Sequence, residues 1–326
     1  MEEREVLLEV DGLKKYFPIK GGVLGNKVLK EVKAVDDVSF KVYKGETVGI
    51  VGESGCGKST TGRSIIRLIE PTEGKVLFEG KDISKLSKRD LRLIRKDFQM
   101  VFQDPFASLD PKMKVGQILE EPMKNYGMYD SGTRKKKVEE LMKRVGLRAS
   151  FVHRYPHEFS GGQKQRIGIA RALSLEPKLI IADEPVSALD VSVQSQVLNL
   201  MRELQQQFGL TYLFIAHDLS VVKHLCDRIG VMYLGRMVEL APKKDLYEKP
   251  LHPYTQALLS AVPIPDPKKK KERIVLQGDV PSPSNPPKGC AFHPRCAACM
   301  DICKTVRPEF KETGDGRFVA CHLYSE

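Results

Sequence analysis

An α/β fold around a mostly parallel sheet is predicted by three features of this 326-residue chain. The runs 47–51, 179–182 and 212–216 are continuously apolar and lead into Gly, Asp or His, as buried parallel strands do when they deliver residues to a site at their carboxyl ends. The first run passes directly into a glycine-rich loop followed by helix-forming sequence. The segments 6–10, 35–42 and 76–78 alternate instead and predict half-buried strands.

The elements follow in order. Between the first two continuous runs lies a helix-rich stretch, about 111–175, which Gly127, Gly132 and Gly146 are expected to break. Composition changes after Ala261: 262–267 opens a Pro- and Lys-rich linker, and 281–287 is a second Pro-rich turn region where fixed φ and missing donors disfavour regular structure. The expected division is therefore a core domain over 1–261 and a linker with a Cys-rich region over 262–326. A chain of this length with 41% apolar residues can build one large core and a smaller appended unit. No repeat is visible, and no run approaches the roughly 18–20 apolar residues of a spanning helix. The acidic start Met1-Glu2-Glu3-Arg4-Glu5 is not expected to be a signal peptide. Any membrane association is expected to come through a partner.

A formal charge of +11 fits contact with nucleic acid, proximity to anionic lipid and phosphate, or simply a Lys-rich solvated surface. The densest runs, 134–137 and 268–271, carry no interleaved aromatics, so the solvated surface is the expectation and no nucleic-acid partner is expected.

Gly52-Glu53-Ser54-Gly55-Cys56-Gly57-Lys58-Ser59 fits G-x-x-x-x-G-K-[ST], with a strand before it and a helix from Thr60 onward. Such glycines let backbone N–H groups wrap phosphates at a helix N-terminus. Lys58 is expected to reach the β- and γ-phosphates of ATP and the Ser59 hydroxyl to ligate Mg²⁺. Only the backbone of Cys56 is expected to matter. In Leu179-Ile180-Ile181-Ala182-Asp183-Glu184, Asp183 is placed to hold the Mg²⁺ shell and Glu184 to accept a proton from attacking water. Taken alone, the two acids also fit an ordinary strand-end turn. His217 ends the next apolar strand, where an imidazole can contact the γ-phosphate; alone, it also fits a structural histidine.

Phe159-Ser160-Gly161-Gly162-Gln163 then precedes a helix for which Ser160 is a natural N-cap, so its positive end can face an anion. With these residues the chain resembles the ATP-binding subunits of ABC transporters, whose signature loop usually has Leu where Phe159 stands. The resemblance implies a P-loop ATPase core with an antiparallel β subdomain and a helical subdomain. It implies ATP sandwiched between two chains, with Ser160, Gly161, Gly162 and Gln163 facing the γ-phosphate bound by the other subunit. It further implies that Tyr16 stacks on adenine, that Gln103 senses γ-phosphate and Mg²⁺ before the region contacting the membrane subunits, and that Asp190 lies in a loop crossing the dimer interface.

Leu251-His252-Pro253-Tyr254-Thr255-Gln256-Ala257-Leu258-Leu259, the tail around Cys290 and Cys296, and the insertion Phe17-Pro18-Ile19-Lys20 are most similar to the F-type subunits of bacterial dipeptide or oligopeptide permeases. This implies peptide uptake driven from the cytoplasmic face, with a second ATP-binding subunit, two transmembrane permease subunits and, indirectly, an extracytoplasmic peptide-binding protein. A soluble ABC ATPase of DNA repair or translation is the alternative. Cys290, Cys296, Cys303 and Cys321 form C-x5-C-x6-C-x17-C, with Cys299 left over; four thiolates can hold an iron–sulfur cluster or zinc. The spacing fits neither common pattern, and the family resemblance favours [4Fe–4S]. Cys226 is expected to be a buried small hydrophobe, and His293 and His322 surface residues.

Overall fold

A computed structural model describes residues 4–21, 27–262, 273–314 and 316–324. The basic run 268–271 and most of the expected linker, 263–272, lie outside the described residues, as does the start, 1–3. The described chain forms two compact units. The first takes Arg4, 43–46 and 86–215; the second takes 5–21, 27–42, 47–85 and the described residues from 216 onward.

The first unit carries three parallel strands in the order Thr211–Ile215, Leu179–Asp183, Phe98–Val101, with Ile180 opposite both Gln99 and Tyr212. Every residue of the strands 179–183 and 211–215 is buried, which explains the apolar runs 179–182 and 212–215 within them. Each fully buried side chain of Ile or Phe size, such as Ile180, Ile181 or Phe214, contributes about 1.5–3 kcal/mol. The strand Phe98–Val101 is short and was not anticipated.

The helix-rich stretch contains Val115–Asn125, Ser131–Arg144 and Gly161–Leu173. Gly127 and Gly146, with φ of 66° and 71°, follow the ends of the first two helices. Gly132 breaks nothing: the Asp130 carboxylate accepts the N–H groups of Gly132 and Thr133 at 2.8 and 3.0 Å, so the glycine sits inside a capped first turn. The basic run 134–137 lies on this helix. Arg134 pairs with Glu120 at 2.8 Å and Lys137 with Glu176 at 3.3 Å, as a solvated ion-pairing face does.

The second unit holds an antiparallel sheet in the order Lys27–Tyr43, Val6–Gly21, Glu73–Phe78, Lys81–Asp82. Leu8 faces Phe78 and Val10 faces Val76 across its middle. The alternating segments of the sequence are parts of these strands. The unit also holds the strand order Lys311–Gly314, Arg317–Val319, Arg236–Pro242, Arg228–Tyr233, Thr47–Val51, in which only the last pair is parallel. The cysteine-bearing C-terminal residues are thus tied in by a ladder, with Glu239 opposite Val319. Phe292, 2% exposed, packs edge-on to Tyr233 and tilted against Tyr254, with ring centroids at 5.2 and 5.3 Å. Among the described residues no helix is long and apolar enough to cross a membrane.

Candidate functional site

The expected site residues divide between the units, and each set is built locally. In the second unit the buried strand Thr47–Val51 delivers the chain into the phosphate loop, and the helix Lys58–Ile65 leaves it. Gly52, Gly55 and Gly57 have φ of 154°, 79° and 105°. A Cβ on Gly57 would stand 2.1 Å from the Ala34 carbonyl oxygen, and one on Gly52 would stand 2.2 Å from that of Met232. No side chain fits at either position, and the backbone curls as an anion nest requires. The Lys58 ammonium, 4% exposed, donates to the carbonyls of Gly52 and Glu53 at 2.9 and 3.0 Å. Ser54 and Gly55 face solvent, while Ser59 and Thr60 are half-buried. Cys56 is buried, and burial pushes its thiol pKa up, so the thiol is kept neutral.

His217 belongs to the same end of this unit. The Ala216 N–H donates to the Ile50 carbonyl at 3.0 Å, which brings the exposed His217 to the carboxyl end of the phosphate-loop strand.

Tyr16 is held by residues that the sequence did not single out. Its hydroxyl donates to Asp36 at 2.6 Å, and Arg236 Nε donates to the other oxygen of Asp36 at 2.9 Å. Burial opposes charge on Asp36, but the Tyr16 hydroxyl and Arg236 outweigh it and hold the carboxyl below its usual range. Burial, then the bond to Asp36, pushes the Tyr16 phenol up. Lys33 lies over the Tyr16 ring, 5.4 Å from its centroid.

In the first unit Asp183 ends its strand fully buried, and Glu184 follows with φ of 46°, a left-handed conformation that costs a non-glycine residue on the order of 1 kcal/mol. The Glu184 N–H donates to the Ile215 carbonyl at 3.0 Å, which fixes this turn. Gln103 Nε2 donates to Glu184 Oε2 at 2.9 Å, so two side chains assigned separate tasks from sequence are in contact. A hydroxyl such as Ser59 and carboxylates such as Asp183 are the hard oxygen donors that Mg²⁺ takes.

Ser160 caps the helix Gly161–Leu173 reciprocally. Its hydroxyl accepts the Gln163 N–H at 3.4 Å, and its own N–H donates to Gln163 Oε1 at 3.1 Å. A Cβ on Gly162 would meet Val193 Cγ1 at 2.3 Å, so this glycine sets the approach of the helix Val191–Phe208. Phe159 is buried against Phe151, with ring centroids 5.8 Å apart; the larger side chain is absorbed as packing. Asp190 is exposed and caps the helix Val191–Phe208 through its backbone carbonyl, which accepts the Gln194 N–H at 2.8 Å.

The C-terminal motif residues also have local tasks. Glu239, fully buried, accepts the N–H groups of Leu251 and His252 at 2.8 and 2.9 Å. His252 Nδ1 accepts the Tyr254 N–H at 3.1 Å, and burial pushes this imidazole down to about 3, which keeps it neutral as a cap. Tyr254 Oη in turn accepts the Glu53 N–H at 3.0 Å. Cys226 is fully buried against Gly49, and His293 and His322 bond to backbone carbonyls of Cys290 and Val306.

The expected metal site is not present as a formed ligand set. Among the described residues no three His, Cys, Asp or Glu side chains are grouped to hold a metal ion. The predicted thiols feel one another's charge without forming such a group. Burial first, and then the charges of Cys303, Cys321 and Cys296, push the Cys290 thiol up to about 11. Cys321 is raised by burial and likewise opposed by Cys296 and Cys303. The Cys290 N–H donates to the Cys303 carbonyl at 2.8 Å. Cys299 also acts on this group: its charge opposes that of Cys296, ahead of Cys303, and favours the charge of Lys304.

Comparison with known proteins accords with the geometry. The family model for ABC transporters matches residues 35–187, and that for the oligopeptide/dipeptide transporter C-terminal region matches 238–303. The chain is 64% identical to the oligopeptide transport ATP-binding protein AppF of Bacillus subtilis, covering 99% of this chain and 98% of that one. It is 53% identical to the probable peptide ABC transporter ATP-binding protein y4tS of Sinorhizobium fredii, covering 98% and 90%. Among solved structures, a dimeric post-hydrolysis state of the ATP-binding cassette MJ0796 bound to ADP and Pi superposes with a TM-score of 0.64 at 30% identity, covering 73% of this chain and 99% of that one. cbiO1 of Clostridium perfringens, part of the complex cbiONQ, gives 0.64 at 29% identity over 76% and 92%. None of these relatives or family models favours a repair or translation ATPase. With a phosphate loop, a capped signature helix and a transporter-type C-terminal region in one polypeptide, the chain belongs to the ATP-binding subunits of ABC transporters, in the oligopeptide/dipeptide group.

Proposed function

We propose that this chain is the ATP-hydrolysing subunit of an importer that takes up dipeptides or oligopeptides, bound peripherally at the cytoplasmic face beneath two transmembrane permease subunits. The observation that carries this reading is the near end-to-end identity to AppF, a protein named for oligopeptide transport, across both the ATPase and the C-terminal regions. The loop 52–59 binds the phosphates of ATP, with Lys58 on the β- and γ-phosphates, and Tyr16 stacks on the adenine. Ser59, Asp183 and Gln103 would hold Mg²⁺, which would supply positive charge against the phosphates. Glu184 takes the proton of the attacking water while Gln103 holds its carboxylate, and His217 contacts the γ-phosphate. Ser160 to Gln163 complete the site of a second ATP-binding subunit, with Asp190 at that interface; closure and reopening of the pair drive the permease, which receives peptide from an extracytoplasmic binding protein.

On this reading the isolated chain is a weak ATPase, and mixing it with its partner subunit and permease raises turnover by on the order of tenfold or more. ATP hydrolysis and uptake of labelled peptide into proteoliposomes measure this. Full activity at a dilution where light scattering detects only monomer would sink the two-subunit site.

We further propose that Cys290, Cys296, Cys303 and Cys321 hold a [4Fe–4S] cluster that orders the C-terminal segment and takes no part in hydrolysis. The support is the presence of these four cysteines in one C-terminal segment and the bond from the Cys290 N–H to the Cys303 carbonyl at 2.8 Å, which brings two of them together. A single zinc, with Zn–S bonds of about 2.3 Å, needs its four sulfurs much closer than a cluster does. Anaerobic purification followed by iron, sulfide and zinc analysis should find iron and sulfide. Serine at any of the four positions should remove them, and Cys299→Ser should not. One equivalent of zinc without visible absorbance overturns the cluster, and no metal at all overturns the site.

A further inference from the structure

The second residue of the phosphate loop has the wrong charge for its task. Glu53 places a carboxylate at the mouth of a loop whose other features attract anions, and unscreened it repels the phosphates that the loop binds. The C-terminal segment answers that charge. Arg295 donates to Glu53 twice, Nη1 to Oε2 at 2.9 Å and Nη2 to Oε1 at 3.2 Å. The arginine side chain is 8% exposed and the carboxylate 27%, so the pair is shielded from water. Arg295 also lies over the ring of Tyr233, 5.9 Å from its centroid, and Tyr233 packs against Tyr254 and Phe292. Because Tyr254 Oη accepts the Glu53 N–H, both the backbone and the side chain of Glu53 are held from residues beyond 250.

We propose that Arg295 is a positioning residue for ATP: it neutralises Glu53 and fixes the entry of the phosphate loop, so that the C-terminal segment sets nucleotide affinity. This rests on the reading of 52–59 as the ATP site. Two effects add. Without the arginine, Glu53 is free to swing toward the phosphates, and its charge acts on them across a partly dry loop where screening is weak. The cost falls on binding of the anion rather than on the fold.

Calorimetric titration of the full chain with ATP and Mg²⁺ tests this. Arg295→Ala should weaken ATP about tenfold, the worth of a charge-assisted pair, and the loss should shrink as salt rises. The double variant Glu53→Gln/Arg295→Ala should bind more tightly than Arg295→Ala alone, because the repelling charge is gone. A purely structural arginine predicts the opposite: no recovery in the double variant, with a fall in the melting temperature of the nucleotide-free protein in both. That result overturns the proposal, as does Arg295→Ala binding ATP like the native chain. Should Arg295→Ala fail to fold, Arg295→Lys, which keeps the charge but loses the fork, takes its place and should lie between native and charge-free behaviour. If the native chain binds no ATP, the reading of the loop itself falls, a result distinct from equal binding by native and variant.

Discussion

Glu184→Gln leaves ATP bound and lowers turnover by on the order of 10²–10⁴-fold, the usual cost of removing a general base. The carboxylate follows a buried strand in a left-handed turn fixed by the Ile215 carbonyl, and the Gln103 amide holds its Oε2. Gln is isosteric and keeps an oxygen for Gln103 to donate to, so geometry is preserved and only the proton acceptor is lost. Single-turnover hydrolysis in the assembled complex measures the effect. A variant within about threefold of the native rate would show that water gives its proton to another group.

Gly57→Ala should abolish ATP binding and cost on the order of 3 kcal/mol of stability. The new Cβ would stand 2.1 Å from the Ala34 carbonyl oxygen at a φ of 105°, and neither backbone can yield without opening the loop. Gly55→Ala is the control: its φ of 79° is also left-handed, but nothing lies within 4 Å of the new carbon, so the cost should be only on the order of 1 kcal/mol. Thermal melting and ATP titration read both. Equal behaviour of the two variants would mean that the loop tolerates bulk at its base.

The parts legible in the sequence were those whose physics is local. The runs 47–51 and 179–182 are continuous because every residue is buried, and the reciprocal Ser160–Gln163 cap is written within four residues. Local signals also misled. Gly132 looks like a breaker, but the Asp130 carboxylate two residues earlier turns it into part of a helix start. What stayed hidden were pairings between distant positions. Asp36 is one acid in an alternating strand, and nothing near it announces a partner 200 residues away at Arg236. Arg295 and Glu53 are 242 positions apart; Glu53 fills a variable place in the phosphate-loop motif and Arg295 looks like an ordinary surface charge until the fold joins them. The four thiols were countable from the sequence, but the backbone bond that joins Cys290 to Cys303 was readable only from the fold.

The hydroxyl of Tyr16 is already committed to Asp36, and Arg236 locks that carboxylate in turn. The phenol therefore has no hydrogen left to donate to the edge of a purine, and keeps an acceptor lone pair beside its flat π surface. Such a surface stacks on any base without regard to its substituents. Were Tyr16 to stack on the nucleotide as proposed, it would grip the base by area with at most one accepted hydrogen bond, and choice among purine triphosphates would fall mainly to other groups.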